Sequence, residues 1–259
     1  MATIILISLV AVSYINPSET VKVGAISAVL PYITIEQTNH KAKEQALLVI
    51  CYTIQCSTDD NNNFKKKLEE VYKLFSRLSK LLDNYKRENC AVINMCVRIY
   101  SLLYSLGSLR ARISQSDAQD LCLKTVKATQ HHIPKNSKYL DDSQCSLMRH
   151  AATLLPSLCL RKEFNLENYV MDNTIDGLLY YMKIHNISPE RVQLNLLSFL
   201  VQLVTVSRSD NVKHAVETEH GKKFIHLIMQ FVEIGHPQLA PPASFLFTLI
   251  GTKLLRRSS

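Results

Sequence analysis

Apolar residues recur at steps of three and four along most of the chain, and the runs that carry them come in pairs. Gly24–Ile33 (GAISAVLPYI) is followed by Lys43–Ile54 (KEQALLVICYTI). Leu74–Leu82 pairs with Ala91–Leu106, and Ala118–Ala128 with Leu147–Leu160. Ile175–Ile184 pairs with Arg191–Val206, and Phe224–Ile234 with Ala243–Leu254. Steps of three and four place one apolar stripe on a helix, so each run predicts a helix with one packed face. The pair returns after about fifty residues, an interval that marks stacked helical arrays. β-branched residues sit at the same helical spacing and do not alternate as strand residues do. The pattern predicts an all-α chain.

The polar stretches punctuate these helices. Asn16 and Pro17 read as the cap and first position of a new helix. A short helix over Glu19–Val23 then meets Gly24, where glycine allows a sharp change of direction or a close helix approach. Thr34–Lys41 reads as a polar loop, and the long helix of the first pair starts at Ala42. Ser57–Asn63 (STDDNNN) and Lys135–Asp142 are linkers. A helix is predicted over Phe64–Arg87, with a face of Leu68, Val71, Phe75, Leu78 and Leu82. His131 and His132 end a helix ahead of Pro134. Ser188-Pro189-Glu190 reads as a cap plus first turn. Asn211–Gly221 is a short helix running into a glycine turn, and Gly235–Pro242 a break before the last helix. Ile4–Val12 is expected to be a buried helix of the first unit. It lacks a signal peptide's charged start and is too short for a transmembrane span.

Composition narrows the class. The chain has 259 residues with 47% hydrophobic residues, but only 6 Gly and 8 Pro. This length and apolar content suit one large domain or a short solenoid. The scarcity of glycine disfavours an α/β enzyme with phosphate-cradling loops. The seven cysteines are Cys51, Cys56, Cys90, Cys96, Cys122, Cys145 and Cys159. Most fall inside apolar helical runs, as small buried hydrophobes do. Reduced thiols imply the cytosol or the nucleus as the expected location. The formal net charge of +8 favours acidic partners without specifying nucleic acid.

The units resemble armadillo repeats. NPSETVKVGAISAVLPYI (Asn16–Ile33) followed by KAKEQALLVICYTI (Lys41–Ile54) carries the likeness. It has a short helix, a glycine turn, a medium helix and then a long helix after a polar loop. NVKHAVETEHGKKFIHLIMQFV (Asn211–Val232) repeats the short-helix and glycine portion, while the middle units lack that glycine. The resemblance implies an armadillo/HEAT-like right-handed superhelical solenoid of about five irregular repeats. The expected boundaries are one domain over 1–255, with units at 1–56, 57–106, 107–160, 161–206 and 207–255, and a flexible tail over 256–259. It also implies that the long third helices line a groove for an extended peptide. The usual ladder of asparagine and tryptophan is thin here. Asn94 and Asn195 are isolated, and the chain has no tryptophan.

Candidate chemistry is sparse. No dinucleotide, phosphate-loop, zinc-protease, nucleophile-elbow or kinase motif is present. The cysteine spacings do not match tight zinc pairs. A cysteine–histidine pair involving Cys145 and His150 has no acidic orienter at a meaningful spacing, and Asp59-Asp60 and Asp141-Asp142 read as solvated loop acids. No catalytic, cofactor or metal residue is therefore assigned, and no membrane association is expected. The densest charge lies at Lys65, Lys66, Lys67, Lys73, Arg77 and Lys80, followed by Lys86 and Arg87, against Glu69, Glu70 and Asp83. Lys65, Lys66, Lys67, Lys73, Arg77, Lys80, Asn94 and Asn195 form the expected partner-binding set. The reading is a noncatalytic protein-interaction scaffold whose partner presents an acidic segment. A nucleic-acid-associated helical protein using the basic 65–87 face is the alternative.

Overall fold

The computed structural model describes residues 9–10, 12, 15–16, 24–33, 39–56, 68–105, 114–133, 140–159, 189–217 and 219–255. Among them the ordered elements are helical. They are α1 (Ala25–Val29), followed by a 3-10 turn (Leu30–Ile33), α2 (His40–Cys56), α3 (Leu68–Asp83), α4 (Cys90–Ser105) and α5 (Gln115–His132). Then come α6 (Asp142–Cys159), α7 (Pro189–Val206), α8 (Ser209–Glu217), α9 (Glu219–Ile234) and α10 (Ala240–Leu255). The chain divides into two compact units. The first is Met1–Ser114 with Asp141–Leu154, and the second is Gln115–Leu140 with Leu155–Ser259.

The first unit is built on α2 and α4, which pack against each other. Leu47, Ile50 and Ile54 of α2 are fully buried, as are Ile93, Val97 and Tyr100 of α4. These residues recur at steps of three and four, so each helix has one continuous apolar seam. α1 and its 3-10 turn close on α2, and α3 packs on α4 through Leu74, Leu78 and Leu82. Tyr100 locks the last contact. Its ring stands edge-on to Phe75 at 4.7 Å, and its hydroxyl donates to the Phe75 carbonyl at 2.9 Å. The pairing satisfies the polar end of a buried aromatic side chain.

The long helices start on side-chain caps. The Asn39 side-chain oxygen accepts from the Ala42 N–H at 2.8 Å, and that of Asn89 accepts from the Val92 N–H at 2.9 Å. Asp141 and Gln144 exchange reciprocal bonds, at 2.8 Å from the Gln144 N–H and 3.0 Å from the Asp141 N–H. Each cap satisfies an N–H that has no partner within the helix, and the last is a capping box. The caps recur at nearly the same interval as the helices, and they set a common register for α2, α4 and α6.

In the second unit α10 packs on α7, α8 and α9, and α8 packs on α9. Lys253 of α10 donates its ammonium to the Thr205 carbonyl at 3.2 Å and the Ser207 carbonyl at 2.6 Å. A cation at the C-terminus of α7 meets carbonyls with no intrahelical partner and the negative end of the helix dipole. Several large apolar side chains stay exposed here, including Met229 and Ile234 on α9 and Phe245, Phe247 and Leu255 on α10.

Several boundaries differ from the sequence reading. α2 begins at His40, inside the expected loop, because the Asn39 cap fixes the start. α3 stops at Asp83. Asn84 caps it back onto Lys80 through both backbone and side chain, so Lys86 and Arg87 lie in a turn. Gly221 is helical within α9, not a turn. α10 takes in Pro241 and Pro242, whose missing N–H groups cost nothing in a first turn. Asp141 and Asp142 are exposed, as expected, but form the cap and first residue of α6. Gly24 adopts φ 72°, the left-handed conformation a glycine turn requires. Of the expected Ile4–Val12 helix, only Leu9, Val10 and Val12 are described; the first two are half-buried and Val12 is exposed. Phe64–Lys67, Glu19–Val23, Asp59-Asp60, Ile175–Ile184 and Ser188 lie outside the described residues.

Candidate functional site

The register set by the caps aligns a strip of polar side chains across the first unit. Arg98 follows Asn89, and His150 follows Asp141, by nine residues each, so the two occupy equivalent positions on α4 and α6. Asn94 lies one turn before Arg98 on the same face of α4. The side chains meet across helices. The Arg98 guanidinium donates to the Gln55 side-chain oxygen of α2 at 3.3 Å. His150 Nδ1 sits 2.7 Å from the Asn94 side-chain oxygen. Since that oxygen can only accept, Nδ1 carries the proton and Nε2 is the acceptor of the neutral ring.

Electrostatics keep this ring neutral. Burial disfavours the imidazolium first, and the charges of Arg98 and Arg149 add to the effect, lowering the His150 pKa from 6.5 to about 4. Asn94 therefore orients a neutral histidine beside two guanidinium groups. The linkage sign follows from a native pKa below the unfolded one. The unfolded chain binds the proton first as pH falls, so stability is complete above about pH 6.5 and is lost between there and about pH 4. The loss attributable to His150 is about 2 kcal/mol after allowance for its partial exposure. Comparison of wild type with His150→Gln by urea denaturation at stepped pH checks this. The variant should show a shallower stability slope across that interval, and equal slopes would refute it.

Thiol chemistry has no foothold among the groups with a clear shift. Burial is the leading cause in each case. It pushes the Cys51 thiol up to about 11 and Cys90 to about 12, and it raises Cys96 and Cys145 as well. These groups are thiols at neutral pH, not thiolates, and the thiolate is the nucleophile and metal ligand. His150 Nδ1 is committed to Asn94, so the Cys145–His150 arrangement has an amide orienter and no activated sulfur. Among the described residues no group of three or more His, Cys, Asp or Glu is placed to hold a metal ion. No described helix is long and apolar enough to cross a membrane.

The sequence-derived binding set separates. Lys65, Lys66 and Lys67 lie outside the described residues. Lys73 and Lys80 are exposed on α3, and Arg77 is half-buried. Asn94 is only 5% exposed and is engaged by His150. Asn195 is half-buried on α7, in the second unit, so it belongs to a different unit from Asn94. Gln55, Arg98 and Arg149 were not in the set. The recurrence of Asn or Asp at 39, 89 and 141 puts Arg98 in register with His150, while no comparable signal marks Gln55 or Arg149.

The helix pairs and their repeated register define an armadillo-like helical repeat, an all-α solenoid. A designed armadillo repeat protein is similar in structure, with a TM-score of 0.61 at 13% identity over 96% of this chain and 92% of that one. An engineered protein solved by a structural genomics consortium is similar at 0.60 and 13% identity, over 95% and 90%. A second engineered protein from that consortium is similar at 0.60 and 10% identity, over 95% and 88%. No protein-family model matches the sequence, and no curated protein matches it. At such identity the likeness is one of fold.

Proposed function

We propose that the chain is a noncatalytic scaffold that binds a protein partner along the α2–α4–α6 face of its first unit. The observation that carries this reading is the polar strip of Gln55, Arg98, Asn94 and His150, held in register by repeated caps. Amide side chains flanked by cations suit a peptide, whose main chain needs donors and acceptors and whose side chains carry charge. A rigid helical face also lowers the ordering cost of association, because the contact groups are already placed. Buried free thiols at Cys51, Cys96 and Cys122 support a cytosolic or nuclear setting for this role.

A photo-crosslinking amino acid placed in cells at exposed Thr153 of α6, Ser76 of α3 or Thr248 of α10 tests the reading. A discrete protein adduct should form from Thr153. A nucleic-acid adduct from Ser76 would favour the alternative of a basic α3 face. Absence of any discrete adduct from Thr153 would remove the proposal.

A further inference from the structure

Most described ion pairs in the molecule involve lysines with a nearby carboxylate. Lys43 meets Glu88, Lys41 meets Glu44 at 3.6 Å, Lys124 meets Asp120 at 2.7 Å, and Lys222 meets Glu219 at 3.5 Å. Arg98 and Arg149, like Lys80 and Arg87, stand outside these pairs. Among the described residues neither Arg98 nor Arg149 has a carboxylate partner, and the one side-chain acceptor of Arg98 is the neutral Gln55 amide. Both guanidinium groups act on the same half-buried imidazole. An accumulation of positive charge without a counter-ion is unfavourable when part of it is shielded from water, and an external anion relieves it.

Two neutral groups complete the arrangement. Asn94 is more than nine-tenths buried and spends its oxygen on His150, while its amide nitrogen has no hydrogen-bond partner among the described residues. That nitrogen is not among the fully buried side-chain atoms left without a partner, so it is open to a ligand acceptor. The Nε2 of His150 is likewise unoccupied among the described residues. Cations and an amide donor on adjacent turns offer bonds to a carboxylate and to a peptide carbonyl together. Charge complementarity therefore selects an acidic peptide segment as the occupant, and the amides favour it over a bare phosphate.

We propose that Arg98, Arg149, His150 and the amide nitrogen of Asn94 form the docking site for a carboxylate side chain of an acidic peptide segment. This deepens the scaffold reading and rests on it. A bound carboxylate offsets the repulsion from Arg98 on α4 and Arg149 on α6, the charged groups that act on His150. His150 then takes a proton from solvent onto Nε2 and donates it in a hydrogen bond to the carboxylate. Nδ1 keeps its bond to Asn94, so the ring does not need to turn. Binding is coupled to uptake of a proton.

Calorimetric titration of the full chain at about pH 6, in two buffers of different ionisation enthalpy, tests this. The probe is a short Glu-rich peptide, with its Gln counterpart as control. At that pH the free glutamates are ionised, so proton uptake reports on the protein. The Glu peptide should bind with net uptake, and the Gln peptide should bind at least about tenfold more weakly. Arg149→Gln and Arg98→Gln should each weaken the Glu peptide about tenfold, and His150→Gln should abolish the uptake. Circular dichroism melts establish that each variant is folded, and exposed Arg149 provides the variant least coupled to folding. Equal binding of the two peptides would overturn the assignment. So would unchanged affinity in folded arginine variants, or tighter binding of inorganic phosphate or a single-stranded oligonucleotide. If the Thr153 adduct survives in both arginine variants, the scaffold stands and this site falls. If wild type gives no such adduct, the scaffold reading itself fails.

Discussion

Glu88→Ala should lower the unfolding free energy by about 3–5 kcal/mol, the usual cost of removing one partner from a buried ion pair. Glu88 sits in the turn ahead of α4, and its carboxylate reaches back to Lys43 Nζ at 2.5 Å and His40 Nδ1 at 3.1 Å, both in the first turn of α2. The side chains of Lys43 and Glu88 are 8% and 6% exposed, while that of His40 is 46% exposed. Position matters as well as burial. Lys43 is a cation near the positive end of the α2 dipole, where it is unfavourable unless paired. Glu88 supplies the missing negative charge and ties two chain-distant segments. Removal would strand the Lys43 ammonium away from water. His40→Ala should cost less than about 1 kcal/mol, since that partner is largely solvated. The double replacement Lys43→Met with Glu88→Leu should recover most of the loss, because it removes both charges together. Urea denaturation of the three variants decides the matter, and a wild-type midpoint for Glu88→Ala would dismiss the clamp.

The apolar pairs were legible in the sequence because burial along a helix enforces one spacing whatever the side chain. Leu47, Ile50 and Ile54 in α2, and Ile93, Val97 and Tyr100 in α4, carry that spacing openly. The same degeneracy explains why solved folds are similar at 13% identity while no protein-family model matches. The pattern of apolar positions is preserved, and the residues that fill it are exchangeable. Helix ends were harder to read, since they depend on single caps. Asn39 starts α2 among polar residues that otherwise read as loop, and Asn84 ends α3 ahead of two further basic residues. The candidate site was legible through Asn94 in the binding set and through His150, which was weighed only as a partner of Cys145. His150 lies 56 positions from Asn94, and the Gln55 that holds Arg98 lies 43 away, so folding alone makes them neighbours. Charge density pointed to the helix after residue 64, where cations are plentiful. Lys80 and Arg87 in that stretch also lack a described carboxylate partner, so what sets Arg98 and His150 apart is their cross-helix contacts with Gln55 and Asn94, which no composition reveals.

Gly221→Ala should destabilise the second unit by about 3 kcal/mol or more, beyond the usual cost of overpacking. Gly221 lies in the first turn of α9, where the chain has just left α8. A methyl group there would stand 2.1 Å from the Ala215 carbonyl oxygen and 2.6 Å from the Val216 Cα. Both atoms belong to the α8 backbone, so no side chain can rotate out of the way. The α8–α9 corner would have to open, and α10 packs on both helices, so the strain would spread. Alanine's better helix propensity offsets only about 1 kcal/mol of this. Gly251 provides the matched comparison. It is also helical, within α10, but an added Cβ there meets nothing within 4 Å. Gly251→Ala should therefore stabilise by about 0.5–1 kcal/mol through propensity and reduced unfolded-state entropy. The two substitutions add the same methyl group to the same kind of element and should move the thermal midpoint in opposite directions. If Gly221→Ala melted at or above the wild-type temperature, the close approach of α8 to α9 could not be what requires glycine. A drop confined to Gly221→Ala would tie the requirement to the corner itself, the point where the short helix and its successor share one backbone contact.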